Sequence, residues 1–143
     1  MSKANSFETD VLALIFNATP IANLADNAAS SPVTNLYVSL HTADPGEAGD
    51  QTTSEAAYTS YARVAVARTS GGWTVAGNSV TNAASISFPQ CTGGSATATH
   101  VGVGTLASGT GKLLYKGALT ASLAVSLGIQ PLFAASSLTV NED

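Results

Sequence analysis

Charge is what this chain has least of. Asp, Glu, Lys and Arg together make up 10% of it, against about a quarter of a typical soluble domain. A surface so poor in charge is weakly defended against association, which implies that copies of the chain or another protein cover much of it. The basic residues are five, Lys3, Arg63, Arg68, Lys112 and Lys116, against a net charge of −4. Scattered in this way they make no basic stripe, so direct binding of nucleic acid is not expected. Cysteine is nearly missing too. Cys91 alone excludes an intrachain disulfide and a Cys-rich metal cluster, and a lone thiol fits assembly in a reducing cytoplasm. No apolar run reaches the length of a membrane span, and the N-terminus lacks a basic start followed by an apolar stretch. The expectation is a protein that neither spans a membrane nor carries a cleaved leader.

What is present is enough for one core. At 143 residues with 45% hydrophobic composition, the chain is read as a single domain, 1–143. Residues 1–34 form an N-terminal helix and connector, and residues 35–143 form a β-domain. In the first part, Asn5 and Glu8 have the spacing of a capping box. Phe7, Val11, Leu14 and Ile15 then recur as one stripe of an amphipathic helix. Thr19-Pro20 ends it. Ile21 to Thr34 is an Ala/Asn/Ser-rich connector containing Pro32.

From Asn35 the pattern becomes β. Leu36, Val38 and Leu40 alternate with Tyr37, Ser39 and His41, the sign of a half-buried strand with His41 toward solvent. Asp44-Pro45-Gly46 turns the chain into a polar loop running to Ala57. Further strands are expected over Tyr61–Val66, from Trp73, over Ser85–Phe88, over Thr97–Val103, over Lys112–Lys116 and over Ser137–Val140, with a tight turn at Gly77-Asn78. The longest alternation is Leu119 to Ile129, with Leu119, Ala121, Leu123, Val125, Leu127 and Ile129 on one side and Thr120, Ser122, Ala124, Ser126 and Gly128 on the other. Short strands separated by Gly- and Ser-rich turns, after one helix, predict a mainly β fold. Its expected form is an antiparallel β-sandwich or jelly-roll-like barrel.

The chemistry of catalysis is thin. His41 and His100 are the only imidazoles, no Gly-x-Ser-x-Gly elbow accompanies them, and two lone histidines fall short of a zinc site. Asp44, Glu47, Asp50 and Glu55 crowd one loop without the spacing of a calcium loop. Gly102-Val-Gly104 lacks the remainder of a phosphate loop and reads as strand glycine. The expectation is no enzyme, no cofactor and no metal. Trp73 shares a phase with Val75 and belongs in the core. Tyr58 and Tyr61 flank a small-residue loop and are candidate contact residues, since tyrosine offers area at low entropic cost. Arg63 is expected to reach across to Asp44 or Glu47. The candidate interface set is therefore Phe7 and Leu14 on the helix, with His41, Asp44, Tyr58, Tyr61 and Arg63 around the loop.

Leu36-Tyr-Val-Ser-Leu-His-Thr-Ala-Asp-Pro-Gly-Glu-Ala-Gly49, Glu55-Ala-Ala-Tyr58 and Tyr61-Ala-Arg-Val-Ala-Val66 resemble a family of small virion proteins of tailed bacteriophages. Gly72-Trp-Thr-Val75, Ile86-Ser-Phe-Pro89 and Leu113-Leu-Tyr-Lys-Gly-Ala-Leu119 extend the likeness, which runs from Phe7 to Val140. Members often carry the label tail fibre protein. A fibre shaft is long and repetitive, whereas this chain is short and without repeats, so the resemblance implies a capsid decoration or cement protein first. Its partners would be the major capsid protein and itself, as homodimer or homotrimer. Its place would be the exterior of the capsid, after synthesis in the host cytoplasm. Each contact would bury about 800 Å² per partner, repeated by symmetry. The other reading is a tail fibre or tail-tip module touching a host receptor, and a small hydrolase is the remote third.

Overall fold

A computed structural model describes residues 5–21, 25 and 33–142. One helix, α1 (Asn5–Asn17), precedes nine strands: β1 (Asn35–His41), β2 (Val64–Ala67), β3 (Trp73–Ala76), β4 (Ser79–Asn82), β5 (Ile86–Ser87), β6 (Ala96–Gly104), β7 (Leu113–Val125), β8 (Leu132–Phe133) and β9 (Thr139–Asn141). The fold is mainly β with antiparallel sheets, as expected. The strands group as β2-β1-β6-β7, β3-β4-β9 and β5-β8. None of these sheets closes into a barrel, which corrects the barrel expectation. Most of the connector 21–34 lies outside the described residues.

The chain gathers into two compact units. The first joins Met1–Asn35, Val66–Ile86 and Phe133–Asp143, and the second joins Leu36–Ala65 and Ser87–Leu132.

In the first unit α1 buries Glu8, Leu12 and Phe16. This stripe is one residue further along than Phe7, Val11 and Ile15 of the expected Phe7, Val11, Leu14 and Ile15, and Phe7 keeps 38% of its surface. The reason is the partner. Phe16 meets Trp73 edge to face with ring centroids 4.8 Å apart, and both rings are fully buried. Such a pair is favoured beyond its buried area, so it sets the rotation of the helix. Ala18 takes a left-handed conformation at φ 53°, and the Thr19 amide returns to the Ala13 carbonyl at 3.1 Å, ending the helix before Pro20. Arg68 adds a second tie: its guanidinium donates to the carbonyls of Leu14, Ile15 and Val33, each at 2.6 Å. The β3–β4 hairpin turns at Gly77, whose φ of 61° suits glycine. Asn82 then links β4 to the C-terminal segment, donating to the Ala84 and Ala134 carbonyls and accepting from the Leu138 amide.

In the second unit β1 is more buried than its alternation implies. Leu36, Val38 and Leu40 are inside, and so are Ser39 and His41. His41 does not face solvent as expected. β6 pairs with β1 along Tyr37↔Gly104 to His41↔His100. On the opposite edge of β1, the Ala56 amide donates to the Leu40 carbonyl and the Thr42 amide to the Ser54 carbonyl. The polar face survives burial because its members satisfy one another. The Lys112–Lys116 and Leu119–Ile129 segments form one strand, β7, which ends at Val125. It pairs with β6 from Ala96↔Val125 to Ala98↔Leu123 and from His100↔Ala118 to Val103↔Tyr115, with a shift of register between these runs and a smaller one before Gly104↔Leu113. The extra β7 residues bend the strand there and spoil a flat edge. Tyr58, Cys91 and Val125 form a small buried cluster with Tyr61, Ala96 and Leu123 packed against it.

A braced display tip as the candidate functional site

β6 and β7 are joined by Thr105-Leu-Ala-Ser-Gly-Thr-Gly-Lys112. Residues 106–110 are all exposed, and Leu106 keeps 48% of its surface. The Thr105 amide donates to the Lys112 carbonyl at 3.1 Å, and the Lys112 amide to the Thr105 hydroxyl at 3.0 Å, closing the neck of the loop.

Two buried side chains hold the loop from beneath. Gln51 has no exposed surface. Its Oε1 accepts from the amides of Thr105 and Leu106 at 3.0 and 2.9 Å, its Nε2 donates to the Leu106 carbonyl at 3.2 Å, and its own amide donates to the Thr110 carbonyl at 2.9 Å. Glycine is required on both sides of it: a Cβ at Gly104 or at Gly111 would overlap the Gln51 side chain. Arg63 donates to the Leu106 carbonyl at 2.9 Å and to the Gly109 carbonyl at 2.8 Å.

Arg63 is in turn fixed by Glu55. Nε and Nη2 donate to the two carboxylate oxygens, each at 2.7 Å. The side chains are only 2% and 17% exposed, so the pair is bidentate and largely out of water, the geometry in which such bonds are strongest. Tyr61 completes the array. Its hydroxyl donates to Glu55 at 3.0 Å and accepts from the Leu40 amide at 3.0 Å. Glu55 holds the Arg63 proton more firmly than usual, and burial pushes the Tyr61 hydroxyl far up. His41 borders the same array: Nδ1 lies 2.8 Å from the Thr53 carbonyl and Nε2 2.8 Å from the Ser39 hydroxyl. The carbonyl makes Nδ1 a donor, and in the neutral ring Nε2 accepts from the Ser39 hydroxyl. Burial lowers its pKa below 6.5.

The loop from Thr42 to Ala56 therefore serves two ends. Its second half supplies Gln51, Thr53 and Glu55 to the brace. Its first half stays outside, where Asp44 and Glu47 each meet the Lys116 ammonium at 3.0 Å. The Gly46 amide, then Lys116, keeps the Asp44 carboxyl low. Beside the tip, Glu47, Asp50, Thr110 and Lys112 border an open hollow of about 660 Å³.

Of the residues singled out in the sequence, His41, Tyr61 and Arg63 converge on Glu55, and Asp44 stands apart on Lys116. The expected pairing of Arg63 with Asp44 or Glu47 is replaced by Glu55. Tyr58 is buried, with its hydroxyl donating to the Pro89 carbonyl at 2.9 Å. Phe7 and Leu14 belong to the first unit, where Phe7 is exposed and Leu14 half-buried. The sequence marks Glu55 only as one of four loop acids and gives Gln51 no role; the glycines flanking the 105–110 stretch are the one signal of something packed against it.

Long stretches of the sequence carry no charge. No Asp, Glu, Lys or Arg occurs from Thr69 to Gly111 or from Gly117 to Asn141. Leu127, Ile129 and Leu132 nevertheless stand 74%, 41% and 57% exposed. Among the described residues, no group of three or more His, Cys, Asp and Glu is placed to hold a metal ion, and no helix is long and apolar enough to cross a membrane.

A protein built on small antiparallel sheets, with a stiffened loop and exposed apolar side chains, has the form of a structural module. Residues 13–141 match the family described as Podophage GP4 fiber I protein gp80 (Gp80). The chain belongs to that family, one of phage virion proteins. No curated protein matches it.

Proposed function

We propose that the chain is a non-catalytic assembly module of the phage particle, attached to its neighbours by burying uncharged surface. The observation that carries this reading is the exposure of Leu106, Leu127, Ile129 and Leu132, which lie in stretches of sequence, 69–111 and 117–141, without Asp, Glu, Lys or Arg. Apolar groups left open in an isolated chain are covered where they work. The family description supports a place in a fibre. The non-repetitive chain suits a fibre's attachment or end piece better than its shaft.

Decoration of the capsid exterior is the second reading. A small, charge-poor β protein that bridges major capsid protein subunits, as a dimer or trimer, would stabilise the head by the same burial. Copy number separates the two. Quantitative gels of purified particles, with immunogold labelling, should find few copies at the tail for a fibre part and hundreds over the head for a cement protein. Absence of the chain from purified particles would overturn both.

A further inference from the structure

We propose that the hollow beside the tip is a two-fold contact surface, and that its occupant is the same hollow of a second copy of this chain. Lys112 of each copy meets Glu47 of the other, and the two Leu106 side chains pack between these pairs. The proposal rests on the assembly reading above and names both the occupant and the groups that touch it.

Both signs of charge and an apolar centre share this one patch. Glu47, Asp50, Leu106, Lys112 and Leu113 all line the hollow. Leu106 keeps 48% of its surface, and Leu113 is half-buried. Lys116 is divided between Asp44 and Glu47, each at 3.0 Å, so two carboxylates share one cation and a negative charge is left over. The Glu47 side chain is 96% exposed and open to a second cation. Lys112 is exposed and makes no ion pair among the described residues, although it borders the same hollow as Glu47 and Asp50. One chain therefore carries an unmatched base and a surplus acid at the same place and does not join them.

A contact between identical patches needs each patch to hold a group and its complement. Turning a second copy about a two-fold axis through the hollow sets Lys112 against the surplus acid twice over. Leu106 then lies in the middle and the charges on the rim, the ordinary layout of a protein contact. A surface of one sign would call for an unlike partner; this one is complementary to itself. The bracing fits the same use. Gln51 and Arg63 fix the Leu106, Gly109 and Thr110 carbonyls, which removes ordering that binding would otherwise require.

Sedimentation of the purified full-length chain should show a monomer–dimer equilibrium that weakens as salt is raised. Dilution should move the amide NMR resonances of residues 47–50 and 105–113 and leave those of β3 and β4 in place. Lys112→Glu and Glu47→Lys each set like charges together twice in a dimer, and each alone should raise the dissociation constant about tenfold or more. Mixed one to one, the two variants restore opposite charges at both contacts, so a heterodimer of near wild-type strength should form. A wild type that stays monomeric at about 1 mM, where even a weak contact fills, would overturn the proposal, as would one that sediments as a trimer. So would dilution shifts confined to other residues, variants that dimerise like the wild type, or variants that fail to rescue each other. If phage complemented with Lys112→Glu lose the chain while the wild type is monomeric, the hollow belongs to a different virion protein and the two-fold contact is wrong. Each of these failures leaves the assembly reading standing; only absence of the wild-type chain from purified particles removes that reading.

Discussion

Arg63 and Glu55 meet through a two-pronged contact in which both hydrogen bonds measure 2.7 Å, and the guanidinium then continues to the carbonyls of the 105–112 loop. The pair connects a polar loop after β1 to the hairpin between β6 and β7. Removing one member leaves the other with an unmatched charge in a site with little water. Breaking such a pair costs about 3–5 kcal/mol, and residual exposure of Glu55 places this one toward the lower end. Arg63→Met should lower the urea midpoint accordingly at pH 7. Arg63→Lys should rescue little, since an ammonium cannot reproduce the fork or reach both carbonyls. Full recovery with lysine would reduce the pair to simple charge attraction.

His41 predicts a pH dependence. Its ring is buried, with both nitrogens engaged in the neutral form. Ser39 lies on its own strand, His100 opposite on β6, and Glu55 and Arg63 on the neighbouring segments. Burial outweighs the Thr53 carbonyl and Glu55, which favour the proton, and the folded pKa lies below 6.5. The unfolded chain therefore takes up a proton first as pH falls. The His41 contribution is fully present above the unfolded pKa and is lost on descending below it. Urea midpoints should drop between about pH 7.5 and pH 5.5, before carboxylates titrate. His41→Gln should flatten that slope. A slope that persists in His41→Gln belongs to another group.

Gly104 and Gly117 make a matched pair for the packing beneath the tip. A Cβ at Gly104 collides with Gln51, whereas one at Gly117 meets nothing within 4 Å. Gly104→Ala should destabilise by about 1–3 kcal/mol through overpacking. It should also speed hydrogen exchange at the Thr105 and Leu106 amides, whose acceptor is the displaced Gln51 carbonyl. Gly117→Ala should leave both quantities near wild type. Equal behaviour of the two variants would mean that Gln51 yields without loss.

These contrasts also mark what was legible in the sequence. Alternation located β1, β6 and much of β7, because a residue's side of a strand is written in its polarity. Trp73 was placed correctly for the same reason. Alternation failed at Ser39 and His41, where polar side chains go inside together and satisfy each other. It failed again at Leu127 and Ile129, which continue the pattern after the strand has ended. The partner of Arg63 was missed because nearby acids look alike in sequence; only the fold turns Glu55 inward and leaves Asp44 and Glu47 with Lys116. Gln51 had no signature at all, as a glutamine in a polar loop normally stays wet. Helix rotation was off by one residue because Phe16 answers to Trp73 rather than to its own stripe.

Asn82 offers the corresponding test in the first unit. Its side chain is fully buried and joins three backbone groups, the carbonyls of Ala84 and Ala134 and the amide of Leu138. The same residue's carbonyl accepts from the Ser136 amide at 2.8 Å, and its amide donates to the Leu138 carbonyl at 3.3 Å. Main-chain bonds survive substitution and side-chain bonds do not. Asn82→Ala should therefore strand a buried donor and acceptors, at about 1–3 kcal/mol for an unsatisfied group. Asn82→Asp should do no better. Its carboxylate still accepts from Leu138, but it sets a negative charge against two carbonyl oxygens in place of a donor. Hydrogen exchange locates the damage: the Leu138 amide should lose protection in Asn82→Ala, while the Thr105 and Leu106 amides keep theirs. Equal loss at both places would mean that Asn82 supports the whole fold rather than the C-terminal segment it joins.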